Sequence, residues 1–200
     1  MLSGRCTRVR GNSARRERGA ALLEVMVSIL ITSFGLLALA GLQTKMNSAL
    51  LEAYQRAQGL VLLEDMTQRI QANQSSHATY IAASLGTGDA PQVDCSGLAT
   101  RALIDRCEWS NALKGAAEIS DADANLGAMI GARGCIEQLQ AANAASGVCQ
   151  PAIYRVTVAW QGFNATVAPA VSCGVDQYGE DDSLRKAVSS RVIVPLPSCS

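Results

Sequence analysis

Glu24 is the only charged side chain in the apolar run AALLEVMVSILITSFGLLALAGL, which fills residues 20–42. A carboxylate inside such a run costs several kcal/mol unless it is protonated or paired, so it marks a functional position. The plain alternative is a glutamate close enough to the membrane interface to stay hydrated. Gly19 stands directly before the run and directly after an arginine-rich leader. An ordinary secretory signal has a shorter apolar region followed by its small-residue cleavage site. Here the order is inverted: cleavage at Gly19 would discard the arginines and keep the hydrophobic helix.

Four other groups of residues could in principle carry chemistry. Ser183-Leu184-Arg185-Lys186 fits the Ser-x-x-Lys pattern of penicillin-binding enzymes, but Lys-Thr-Gly and Ser-Asp-Asn partners are absent. Asp121, Asp123 and Asn125 resemble the start of a calcium loop. Leu126 stands where such a loop needs glycine and Ala132 where it needs a bidentate acid, so a capped helix or solvated turn is expected. Asp176, Glu180, Asp181 and Asp182 read as a solvated acidic loop. His77 has no acid or nucleophile nearby in sequence and is expected to be an exposed polar residue. No catalytic residue, metal or cofactor is therefore assigned.

The chain has seven cysteines, and all but Cys6 lie far downstream. Removing the leader leaves an even six, consistent with up to three disulfides in an oxidising compartment. There is no Cys-x-x-Cys pair and a single histidine, which speaks against zinc and thioredoxin-like chemistry. Proximity alone suggests Cys95–Cys107 and Cys135–Cys149.

The elements that must position these residues begin with the apolar run. As a helix its 23 residues span about 34 Å, enough for a hydrocarbon core of roughly 30 Å. Residues 1–19 hold six arginines and one acid. Setting them aside from 17 basic and 17 acidic residues leaves 11 and 16, a net charge of −5 over residues 20–200. Arginines beside a span are a cytoplasmic topology signal, which places residues beyond about 45 outside. The acidic remainder argues against nucleic acid as a partner. No proline interrupts residues 20–73. Leu42, Met46, Ala49, Leu50, Ala53, Ala57, Leu60, Leu63 and Ile70 recur at helical steps, so the helix should continue and lay an apolar stripe on a head.

Residues 74–94 read as a connecting loop. Residues 98–118 have helical spacing. Strand signals are weak at Cys135–Leu139 and strong at Ile153–Trp160 and Val188–Leu196, with Tyr154, Val156, Val158 and Trp160 on one face. Gln161-Gly162 reads as a turn into Asn164–Ala168. The expected fold is α+β: a long N-terminal helix, transmembrane in its first half, packed on a small antiparallel sheet. The expected division is a cleaved leader (1–19), a transmembrane half-helix (20–42), an amphipathic half-helix (43–73) and a head (74–200).

Gly19-Ala20-Ala21-Leu22-Leu23-Glu24-Val25 resembles the class III signal of type IV prepilins and related pseudopilins. The resemblance implies that a membrane peptidase cuts between Gly19 and Ala20, that Ala20 becomes N-methylated, and that Glu24 is the fifth mature residue. Major pilins usually begin with phenylalanine; Ala20 departs from that, as minor subunits more often do. Arg133-Gly134-Cys135-Ile136, Arg155–Gly162 and the closing strand Ala187–Leu196 resemble the minor pilins called type IV pilus modification proteins, the PilV family. That likeness is strong over residues 15–72 and moderate over 132–196.

The resemblance implies a pilin-like fold and a non-enzymatic subunit, held in the inner membrane with its head in the periplasm and later incorporated into the pilus. Its implied partners are the prepilin peptidase, other minor pilins, the major pilin and a tip adhesin. Its implied role is to help initiate pilus assembly near the fibre tip. The disulfide-bounded loop of pilin heads further implies a Cys173–Cys199 pair. Two alternatives stand beside this reading: a minor pseudopilin of a type II secretion system, and a single-pass anchored periplasmic binding module or enzyme.

Overall fold

The computed structural model describes residues 14–87, 94–115 and 129–196. The elements are α1 (Ala14–Ala72), a 3-10 helix (Gln74–Tyr80), β1 (Ala82–Gly86), α2 (Arg101–Leu113), β2 (Ile130–Gln140), β3 (Ala152–Gln161) and β4 (Arg185–Val194). The strands form one antiparallel sheet in the order β1-β2-β3-β4. The architecture is α+β and fits the pilin-like plan of a long N-terminal helix followed by a small sheet. Contacts divide the chain into two units, 1–48 and 49–200, and the second contains the sheet.

In the second unit α1 buries Gln55, Gly59, Leu63, Met66 and Ile70, at steps of four, four, three and four residues. The stripe expected from hydropathy is split. Leu63 and Ile70 pack inward, whereas Ala49, Leu50, Ala53, Ala57 and Leu60 are exposed. The inward face contains a glycine and a glutamine, which a search for apolar residues passes over. Gly59 is there because of Trp160: a Cβ on it would stand 2.9 Å from the indole. A second close approach seats the other tryptophan. A Cβ on Gly134 would come within 2.3 Å of the Trp109 ring, and the Trp109 indole N–H donates to the Leu62 carbonyl at 2.8 Å.

α2 starts at Thr100, whose hydroxyl accepts from Leu103 N, and ends before Gly115 at φ +83°. The main core joins Leu63, Met66 and Ile70 to Tyr80, Trp109, Leu113, Ile136 and the β3 face of Tyr154, Val156, Val158 and Trp160. That face is the one the alternation predicted. β2 is much longer than its sequence signal, because glycines and polar residues fill it. The presumed loop at 74–94 instead contains the 3-10 helix and β1, and no strand forms at 164–168.

The β3–β4 connection folds back over the opposite face of the sheet, where Cys135, Ala159, Cys173 and Tyr178 form a second cluster. Arg185, 4 % exposed, fastens it: its guanidinium donates to the carbonyls of Pro169, Val171 and Cys173 and pairs with Asp182 at 3.1 Å. The solvated acidic loop expected at 176–182 is thus corrected at Asp182, which is buried as the counter-ion of Arg185. Tyr178 completes the cluster, its hydroxyl donating to Gly131 O at 2.7 Å.

Candidate functional site

Gly19, Ala20 and Glu24 all lie on α1. Ala20 and Glu24 are four residues apart, so one turn separates them along the same face. Glu24 is exposed, and its carboxylate has no hydrogen-bond or ion-pair partner among the described residues. Its face continues along the helix as Ser28 and Thr32. Their hydroxyls do not stand free, since each returns to the carbonyl four residues back at 2.7 Å. The result is a shallow surface of Glu24, Val25, Ser28, Ile29 and Thr32, with backbone-satisfied hydroxyls and one exposed carboxylate.

Around it the helix is bare. Thirteen large apolar side chains between Leu22 and Leu42 are 44–72 % exposed, and each gains roughly 1.5–3 kcal/mol on leaving water. An exposed apolar surface of this size marks a site of interaction. One N-terminal helix is long and apolar enough to cross a membrane, which with the disulfides is compatible with a single-pass anchored protein.

The cysteines pair differently from the expectation. Cys95–Cys107 forms. Cys135, however, joins Cys173, which overturns both the Cys135–Cys149 and the Cys173–Cys199 pairings. The reason is the path of the β3–β4 connection: it crosses the face of β2 instead of bracketing β4, and so brings Cys173 over Cys135. Cys149 is disulfide-bonded as well. Cys199, Cys6 and the Asp121–Asn125 calcium-like run lie outside the described residues.

The remaining polar groups are engaged in holding the head together. Lys186 Nζ donates to Asn164 O and Thr166 Oγ1 at 2.8 and 2.7 Å, so the Ser-x-x-Lys lysine is directed to the loop and not to Ser183. His77 is half-buried, with Nδ1 2.5 Å from the Tyr154 hydroxyl; the exposed residue expected from sequence is a packing contact. Arg69 binds Asp65, Asp105 and Glu108, while Asp105 also takes Arg101 at 2.9 Å and the Tyr80 hydroxyl at 2.5 Å. Burial, reinforced by that bond to Asp105, pushes the Tyr80 phenol up to about 12. This cluster ties α1, the 3-10 helix and α2, and sequence reasoning missed it because its members are spread over residues 65–108. A polar residue inside the apolar spacing of α2, Asp105, was the one signal available.

Among the described residues no cluster of His, Cys, Asp or Glu could hold a metal ion. No protein-family model, curated protein or solved structure matches the chain.

Proposed function

We propose that this chain is a minor pilin that helps initiate type IV pilus assembly. In this reading the prepilin peptidase cuts between Gly19 and Ala20 and Ala20 is N-methylated. The helix then holds the protein in the inner membrane, with the head in the periplasm, until it joins other minor pilins and the major pilin. The observation that supports it most is Glu24, exposed and without an ion-pair partner among the described residues, in a helical stretch whose large apolar side chains are exposed. Cleavage would create an ammonium at Ala20, and in a packed bundle that charge needs a carboxylate. Opposite charges attract far more strongly in a low-dielectric interior than in water. The pair would set the axial register between subunits more than it would add bulk stability.

The test is N-terminal mass spectrometry of the membrane protein from cells with and without the peptidase. The expected result is N-methyl-Ala20 in the first case and the intact leader in the second. Gly19→Val should leave the precursor uncut. An intact leader in peptidase-positive cells would remove the reading and favour an ordinary anchored module.

A further inference from the structure

β4 is the edge of the sheet, and all ten of its residues pair with β3 without a bulge. Among the described residues no other backbone group bonds to residues 186–194. The opposite edge is protected in the usual ways: β1 has five residues, its register shifts between Ala82 and Leu85, and the Ser110 hydroxyl of α2 takes the Gly86 N–H. β4 has neither device. Over its first turns the open edge also forms one wall of a groove of about 490 Å³, bounded by Glu52 and Arg56 of α1, by Thr166 and Pro169 of the loop, and by Ala187 and Val188.

The charges carried by β4 itself have one sign, and the acids nearest to them, Asp182, Glu52 and the Glu137 that pairs with Arg155, are already engaged. Every ionisable residue of β4 is a cation: Arg185, Lys186 and Arg191. Arg185 is neutralised by Asp182. Arg191 has no ion-pair partner among the described residues and lies directly across the ladder from another cation, Arg155. Arg56, in the groove, is likewise without a partner among them. The single acid at the groove is Glu52, and its carboxylate is already engaged, accepting from Phe163 N and Asn164 N at 3.2 and 2.9 Å. By alternation Lys186 lies on the α1 face of β4 and Arg191 on the other, so cations flank the edge on both faces.

We infer that the free edge of β4 accepts an extended, acidic segment of a different protein as a fifth strand. Main-chain hydrogen bonds to residues 186–194 would supply affinity, with its carboxylates set against Arg56 and Lys186 on one face and Arg191 on the other. A second copy is the poorer occupant, since pairing two β4 edges brings only cations together. The inference rests on the unit 49–200 and holds whichever machine the protein serves.

The probe is a capped peptide the length of β4, alternating valine or threonine with aspartate, added to the full chain in detergent micelles. It should bind at least about tenfold more tightly than its lysine counterpart and slow amide exchange at residues 186–194. N-methylation of one alternate set of peptide amides should abolish binding, whereas methylation of the other set should be tolerated. The double variant Arg56→Glu/Arg191→Glu should reverse the preference in favour of the lysine peptide, a gain that a misfolded protein would not show. Equal binding of both peptides, insensitivity to both methylation patterns, or protection elsewhere in the head would overturn the inference. Self-association through β4 without peptide would overturn it in favour of a second copy.

Discussion

At the scale of single residues, two positions are defined by what they lack. Glu24 has no ion-pair partner among the described residues, and in the proposed reading Glu24→Ala should still insert, because removing a charge makes the span more apolar. It should nevertheless reduce surface piliation, scored by counting pili and by the amount of the subunit in sheared fibres. Wild-type incorporation of Glu24→Ala would end the pairing role. Gly134 lacks a side chain because the Trp109 ring occupies the space, within 2.3 Å of a would-be Cβ. Gly134→Ala must displace a tryptophan that is fully buried and anchored to the Leu62 carbonyl. Overpacking of this kind costs about 1–3 kcal/mol. Denaturant unfolding should show that loss, while Gly97→Ala, with open space around it, should show almost none. An unchanged midpoint for Gly134→Ala would mean that the Trp109 pocket gives way freely.

At the scale of elements, legibility in the sequence followed the kind of signal each element carries. The proline-free N-terminal run and the alternation through Tyr154, Val156, Val158 and Trp160 are local patterns, and α1 and β3 match them. Gly19, Ala20 and Glu24 form a local pattern too, and the structure places all three on α1. The inward face of α1 departs from the hydropathy stripe because it includes Gly59, whose place is set by Trp160 and not by its own hydropathy, and the buried polar residue Gln55. β1 and the 3-10 helix were hidden in a polar stretch whose order comes from Tyr80, Leu85 and the cluster around Asp105. That cluster gives the junction of α1, the 3-10 helix and α2 an alkaline limit. The Tyr80 phenol is pushed up to about 12 by burial and by its bond to Asp105, and the Tyr178 phenol to about 12 by burial in the second cluster. An acid whose folded value is raised favours the folded state fully below its unfolded value near 10, and that contribution is lost as the pH climbs to about 12. Each tyrosine should therefore contribute stability that disappears across this window. Unfolding midpoints measured from pH 8 to 12 should fall above pH 10, and Tyr80→Phe should flatten part of the fall. A pH-independent midpoint in that window would show that neither hydroxyl is held as the structure places it.

At the scale of the whole molecule, the two bridges act on different lengths of chain. Cys95–Cys107 closes a separation of 12 residues next to α2, whereas Cys135–Cys173 closes one of 38 and clamps the β3–β4 connection onto the sheet. In the chain-entropy account, the shorter loop stabilises by about 3 kcal/mol and the longer by about 4. The longer bridge does more than close a loop, because the connection it holds also carries Tyr178 and the carbonyls that surround Arg185. Without the bridge, Arg185 keeps Asp182 as its counter-ion but stands to lose the carbonyls that satisfy the rest of its guanidinium, and buried donors without acceptors are costly. Cys135→Ser or Cys173→Ser should therefore lower thermal stability and abundance more than Cys95→Ser or Cys107→Ser, and the two variants of each bridge should be alike. Peptide mapping without reduction should link Cys95 to Cys107 and Cys135 to Cys173 and return a further linked pair containing Cys149. A linked Cys173–Cys199 peptide, or an equal loss for the two bridges, would mean that the connection does not cross the sheet as described; free thiols at all of these positions would mean that the head matures in a reducing compartment.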